Sequence, residues 1–316
     1  MTEVWKIKTH DGEEYEFITI NAPGYYSRDN RYQLLKGATG HHDMEVTYKS
    51  DPVPGVAGEE LRETHWEVRE IYMPTRIQGF TPSDFTENKQ NLRRSLSPRY
   101  EHELWITNEQ GETRMVYCHY KSGFAEGADD EKKGPNFMLI PLRLICHDPY
   151  FYDIPANEVT HETTYTAPTA VFFDAYTFLS ADDSDPWGRI GSSSIGRIWS
   201  VVNVGDEDTY PVWTIVGPGR APLLKNNTTG KTFYLNYILG ETETVVIDMR
   251  DNQHTVTSTA IISGDTIVTN VRKYMDQNYR DMWSLEAGSN DLEIEFNEGD
   301  TGAACNFSFL PRYRGI

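Results

Sequence analysis

Cysteine is scarce in this sequence: 316 residues hold three, Cys118, Cys146 and Cys305. The number is odd, the spacing is wide and no C-x-x-C occurs. The pattern therefore reads as buried free thiols suited to a reducing cytosol, not as a disulfide scaffold or a thiol redox motif. Long apolar runs are also missing. None approaches the roughly 18 residues that a membrane span requires, so no membrane insertion is expected. The opening MTEVWKIKTHDGEEYEF has no apolar core, so no signal peptide is expected. Positive charge is short as well, with 29 Lys+Arg against 48 Asp+Glu and a net charge of −19. Divided at Asp148, both halves are acidic, which argues against a surface that grips phosphate. G-x-S-x-G, G-x-G-x-x-G, H-E-x-x-H and P-loop motifs are all absent, so no cofactor and no metal is expected.

What the chain does have is aromatic and β-branched residues in short alternating runs. The stretch Asn203–Asp248 is the clearest. Tyr210–Ile215 (YPVWTI) is strand-like and stops at Gly217-Pro218-Gly219, a second turn signal follows at Asn226–Gly230, and Phe233, Leu235, Tyr237 and Leu239 then alternate with more polar neighbours. Short strands at this spacing predict a β-sandwich. The length allows two domains of ordinary size, and the polar stretch 151–168, bounded by Asp148-Pro149 and containing Pro155 and Pro168, reads as a linker.

Earlier in the chain, His10-Asp11-Gly12 predicts a hairpin turn. One strand is expected from about Thr64 to Tyr72, and a second after Met73-Pro74. Ser83–Leu96 is the one convincing helix, capped by Ser83 or Asp84, with Phe85, Leu92 and Leu96 near one face. Phe137–Cys146 is nearly continuous in apolar residues and reads as a strand buried on both sides. In the second half, Val171–Leu179 resumes a β pattern, and Cys305, Phe307 and Phe309 alternate in the last strand.

The ordered set N-x-G-D, T-Y-P-V-W-x-I-x-G-P, N-x-T-T-G and Gly240–Asp248 (GETETVVID) resembles the C-terminal half of the distal tail proteins of long-tailed bacteriophages, the siphophage tail-component or minor tail protein family. LPRYRGI (Leu310–Ile316) resembles that family's terminus, and the D-P-aromatic turn at Asp148–Tyr150 resembles the end of its first domain. The resemblance implies a mainly β, two-domain chain. Residues 1–150 would be a β-sandwich-like ring-forming domain with one helix, and 169–316 a galectin-like β-sandwich. It also implies a structural virion protein at the distal end of the tail, assembled in the host bacterial cytoplasm and forming a hexameric ring. The ring would join the tail tube protein to the tail-associated hub protein and to receptor-binding or fibre proteins, and DNA would pass through without specific binding. Two other readings are a carbohydrate-binding module that adheres to wall glycans and, more weakly, a wall-degrading glycosidase, because carboxylate pairs abound among 48 acids.

Several residues carry a sharp and a bland reading. His41-His42-Asp43 with Glu45 could ligate a metal, but adjacent side chains on a strand point to opposite faces. Asp182, Asp183 and Asp185 resemble half of a calcium loop, without its Gly-x5-Glu remainder. Trp187, Trp199, Trp213 and Trp283 could stack on sugars, although packing in a core is the commoner fate of a sandwich tryptophan. Trp213, flanked by Val212 and Ile215, is assigned to the C-terminal core. Glu126, Asp129, Asp130 and Glu131 are the candidate acids for the lumen of a ring, with Lys132 and Lys133 turned toward protein; the bland reading is that this loop faces solvent outside the ring or packs on a neighbouring subunit.

Overall fold

The computed structural model describes residues 3–19, 31–53, 55, 57–124, 133–164, 195–251, 253–262, 264–299 and 303–316. The acids Glu126, Asp129, Asp130 and Glu131 lie outside the described residues, as do the expected strand Val171–Leu179, the aspartates 182, 183 and 185, and Trp187. The chain divides into two compact units, Met1–Ile154 together with Arg312–Ile316, and Pro155–Pro311.

The first unit contains β1 (Val4–Lys8), β2 (Glu14–Thr19), β3 (Tyr32–Leu34), β4 (Val46–Pro52), β5 (Glu59–Trp66), β6 (Arg69–Gln78), α1 (Pro82–Ser95), β7 (His102–Thr107), β8 (Thr113–Ser122), β9 (Phe137–Cys146) and β10 (Phe151–Asp153). The order β8-β7-β1-β2-β3-β6-β9 returns to β8 through a β8–β9 pairing, so the sheet closes on itself. Closure explains the burial of β9. Its residues alternate between buried and half-buried, with Met138, Ile140, Leu142 and Leu144 facing the core and Arg143 facing out to Glu70, where the continuous apolar run predicts burial on both sides. Nor does Pro74 end a strand. β6 runs through it, with Pro141 as its register partner, which confines the two missing N–H groups to one place on the ladder. The single stretch expected from Thr64 to Tyr72 is two strands in two different sheets, β5 and β6, separated at Glu67-Val68.

Helix α1 starts at Pro82, one residue before the expected Ser83. Its cap is Thr81, not Ser83 or Asp84. The Asp84 backbone N–H donates to Thr81 Oγ1, and the Thr81 N–H donates back to Asp84 Oδ2, each at 3.1 Å. Pro82 follows at the first helical position, where its missing N–H costs nothing. The face carrying Phe85, Leu92 and Leu96 is buried in the unit's core.

The second unit contains β11 (Val159–Thr164), β12 (Ile195–Asn203), β13 (Val212–Val216), β14 (Gly219–Asn226), β15 (Lys231–Leu235), β16 (Ile238–Leu239), β17 (Thr244–Asp248), β18 (Thr255–Ile262), β19 (Asp265–Asn270), β20 (Met275–Arg280), β21 (Gly288–Gly299) and β22 (Ala304–Phe309); β23 (Arg312–Tyr313) belongs to the first unit. One sheet runs β11-β22-β13-β17-β18-β19 and the other β12-β21-β14-β15-β20, with β16 on β14. Trp213, Val245 and Phe307 from the first sheet share one core with Trp199, Leu224, Phe233 and Leu292 from the second, which makes the unit a β-sandwich. The Asn226–Gly230 turn is built as its composition demands. Asn226 Oδ1 accepts from the N–H groups of Thr228 and Thr229, and Gly230 takes a φ of 69°. Within the stretch 151–168, β10 pairs with β8 in the first unit and β11 pairs with β22 in the second, and residues 165–168 lie outside the described residues.

Candidate functional site

One element of the first unit stands apart from its barrel. β4 and β5 pair only with each other among the described strands, and almost all of their residues are exposed. Register partners share a face. Val46 with Trp66, Tyr48 with Thr64, and Ser50 with Leu61 make one face, which is largely apolar. Thr47 with His65, Lys49 with Glu63, and Asp51 with Glu60 make the other. The polar face is laced by ion pairs, Lys49–Glu63 at 2.7 Å and Arg62–Asp51 at 3.0 Å, in positions so open to water that each contributes little. On the apolar face Tyr48 is 64% exposed and Leu61 57%. A lone two-stranded hairpin is marginally stable in water, so this one calls for something to cover its apolar face.

Beside the hairpin, the segment Arg312–Ile316 is fastened to the first unit. β23 pairs with β10, with Phe151 opposite Tyr313 and Tyr152 opposite Arg312. Buried Arg69 donates from Nε to the Pro149 carbonyl (2.6 Å), from Nη1 to the Gly40 carbonyl (2.6 Å) and from Nη2 to the Arg314 carbonyl. Burial pulls its pKa down, with nearby Cys146 and Asp43 opposing the shift. Arg312, itself buried, reaches Asp148 at 3.5 Å and lies over the Tyr150 ring at 3.9 Å. The Arg114 guanidinium lies 3.6 Å from the Tyr313 ring centroid, and Arg114 also donates to the Gly315 carbonyl. Arg314 lies over Trp66 at the base of the hairpin, 5.3 Å from its centroid. At Gly315 a Cβ would fall 1.4 Å from the His42 carbonyl oxygen, so only glycine fits.

His41 and His42 sit under this clasp, and the Ile316 N–H donates to the His41 carbonyl at 3.1 Å. The His41 ring is buried edge-on to Trp5 at 4.9 Å and lies 4.0 Å from the His42 ring. Among the described residues no group of three or more His, Cys, Asp or Glu side chains is placed to hold a metal ion. Burial, helped by His42 and Arg69, holds the His41 pKa down to about 4. The unfolded chain, with an ordinary histidine pKa of about 6.5, takes up the proton first as pH falls. The stability of this unit should therefore be level above pH 6.5 and decline from there toward pH 4. At pH 5 the loss from His41 should be about 2 kcal/mol. Urea unfolding of the wild type and of His41→Phe at pH 7 and pH 5 checks this, and an equal pH slope in both would contradict it.

Trp213 is fully buried in the sandwich core, and Trp199 and Trp283 are buried beside it, with ring centroids 6.1 and 5.9 Å away. None of the three offers a face to a sugar. Asn226, which heads an N-x-S/T sequon, is fully buried too.

The first unit is a closed barrel with an outstanding hairpin and the second a two-sheet sandwich, so the fold is mainly β in two units. Residues 204–313 match the model of the siphovirus-type tail component, C-terminal domain, which bears out the resemblance read from the sequence. Among solved structures the chain is similar to the SPP1 Dit (gp 19.1) protein, described as a paradigm of the hub adsorption apparatus in phages infecting Gram-positive hosts. Identity to it is 14% and the TM-score 0.59, over 96% of this chain and 98% of that one. It is also similar to a chain of the phage p2 baseplate in its activated conformation with Sr, at 10% identity and TM-score 0.53 over 98% of this chain and 97% of that one. The same baseplate with Ca gives 11% identity and TM-score 0.52, with full coverage of both chains. At these identities the likeness is one of fold. A search of curated proteins finds no match.

Proposed function

We propose that the protein is a structural component of a siphophage virion, a distal tail protein whose copies form a hexameric ring at the tail tip. The first unit surrounds a passage for DNA. The ring joins the tail tube to a hub protein, and the galectin-like second unit is a platform for receptor-binding or fibre proteins. The protein assembles in the host cytoplasm and acts without catalysis. The observation that carries this reading is the β4–β5 hairpin. On its largely apolar face Tyr48 and Leu61 stand exposed, suited to packing on a neighbouring copy, and the fold likeness to hub and baseplate proteins supports that choice of partner. Burial of Trp199, Trp213 and Trp283 weakens the glycan-binding alternative. Tyr48→Glu with Leu61→Glu should leave the barrel folded and abolish assembly, read as a native mass reduced to that of one chain. A double variant that still assembles would remove the hairpin from the interface.

The same reading gives the channel its sign. Six copies carry six times a net charge of −19. We assign part of it to the lumen, where acid groups deny DNA a cationic foothold. Glu126, Asp129, Asp130 and Glu131 are the proposed acids. Reversing them to Lys should slow DNA ejection at low salt and matter less at high salt, since the attraction is screened. An unchanged rate at both salt concentrations would contradict an electrostatic role.

A further inference from the structure

Four buried side chains form a row across the barrel wall of the first unit. His102 on β7 is the register partner of Cys118 on β8, and Arg69 on β6 is the register partner of Cys146 on β9. β8 and β9 pair with His119 opposite Ile145 and Tyr120 opposite Leu144. Continuing that register by one residue sets Cys118 opposite Cys146. Both are fully buried with free thiols, so both point into the same core. Directly opposed residues on one face hold their Cβ atoms about 4.5–5.5 Å apart, close to the separation a disulfide spans.

The place of this pair in the fold matters. β8–β9 is the seam that closes the barrel, and it is short: its register shifts between Tyr120 and Ser122, and β8 turns to β10 at Met115. From this juxtaposition we infer that Cys118 and Cys146 are a dithiol that oxidises to an intrachain disulfide across the barrel's closing seam. The co-reactant is a low-molecular-weight disulfide of the glutathione type. One cysteine thiolate attacks it, forming a mixed disulfide and releasing one small thiol. The second thiolate then attacks the protein sulfur of that mixed disulfide, releasing the other small thiol, and the two protein S–H protons end on the released thiols. The protein loses two hydrogens, and the oxidant is reduced to two thiols. Burial pushes both thiol pKa values up, Cys146 to about 12, so the closed barrel reacts slowly and the seam must open for exchange. The device suits a particle assembled under reducing conditions and then released into oxidising ones.

The test is a peptide map of the full chain, unfolded in urea and refolded either with dithiothreitol or with oxidised and reduced glutathione. The expected result in the glutathione sample is a linked peptide pair carrying Cys118 and Cys146, with Cys305 still open to alkylation. The first unit should also melt at a higher temperature than in the dithiothreitol sample. Cys118→Val should lose the link and the melting shift, and Cys305→Val should keep both. Soluble refolded protein that alkylates at all three cysteines, carries glutathione on both seam cysteines, or links either of them to Cys305 would overturn the inference.

Discussion

A chain truncated after Pro311 should unfold first in its N-terminal unit, although the residues removed follow the entire second unit in sequence. Loss of Arg312–Ile316 takes β23 from the edge of β10 and withdraws the Arg314 carbonyl from the Arg69 guanidinium. Arg69 is then a buried cation short of an acceptor, and Arg114 and Tyr150 lose their stacked partners. Breaking a buried charged network costs about 3–5 kcal/mol, and each lost cation–π contact adds about 0.5–2 kcal/mol. The expected destabilisation is thus about 5 kcal/mol, a large part of a domain's whole stability. Urea unfolding followed by hydrogen exchange locates the loss. A truncated chain whose barrel amides exchange as slowly as in the wild type would show the clasp to be ornamental. Gly315→Ala is the point version of the same test, because its methyl group cannot coexist with the His42 carbonyl.

The second large effect is expected in the second unit. Trp213→Ala removes a fully buried indole from the middle of β13, where Ile247 and Phe307 flank it in register and the Phe307 ring centroid is 4.7 Å away. A cavity of that size costs about 3–5 kcal/mol. The loss should fall on the sandwich and leave ring formation intact. Trp213→Phe should cost much less, because among the described residues the indole N–H has no hydrogen-bond partner to lose. Differential scanning calorimetry separates these outcomes. Loss of the ring with an undisturbed sandwich transition would place Trp213 elsewhere in the account.

The sandwich was the more legible half of the sequence. Alternation at Phe233 and Leu235, the Asn226–Gly230 turn and the run around Trp213 are local signals, and the sheets use them as written. The helix is legible in the sequence, but its cap is not. Thr81 carries the whole signal, with Pro82 after it and Asp84 at the third helical position, yet Ser83 and Asp84 are also good capping types. The hairpin escaped because strand propensity continues through Glu67-Val68, with no glycine or proline to mark where one sheet ends and another begins. Arg69 escaped for a different reason. Its three acceptors are backbone carbonyls at separations of 80, 29 and 245 residues, and a carbonyl has no signature in a sequence. A charged residue on a strand reads as solvent-facing until the chain that covers it has been placed. The inward and outward faces of β9 likewise depend on barrel closure, which a continuous apolar run does not reveal.

The claim on which the account rests is that this chain assembles into a ring through its first unit. Native mass spectrometry of the purified full chain tests it most directly. The account predicts a dominant species of six times 36.2 kDa, seen as a ring with a central opening in negative-stain micrographs. A single-chain species that persists at concentrations well above those in the micrographs would contradict it.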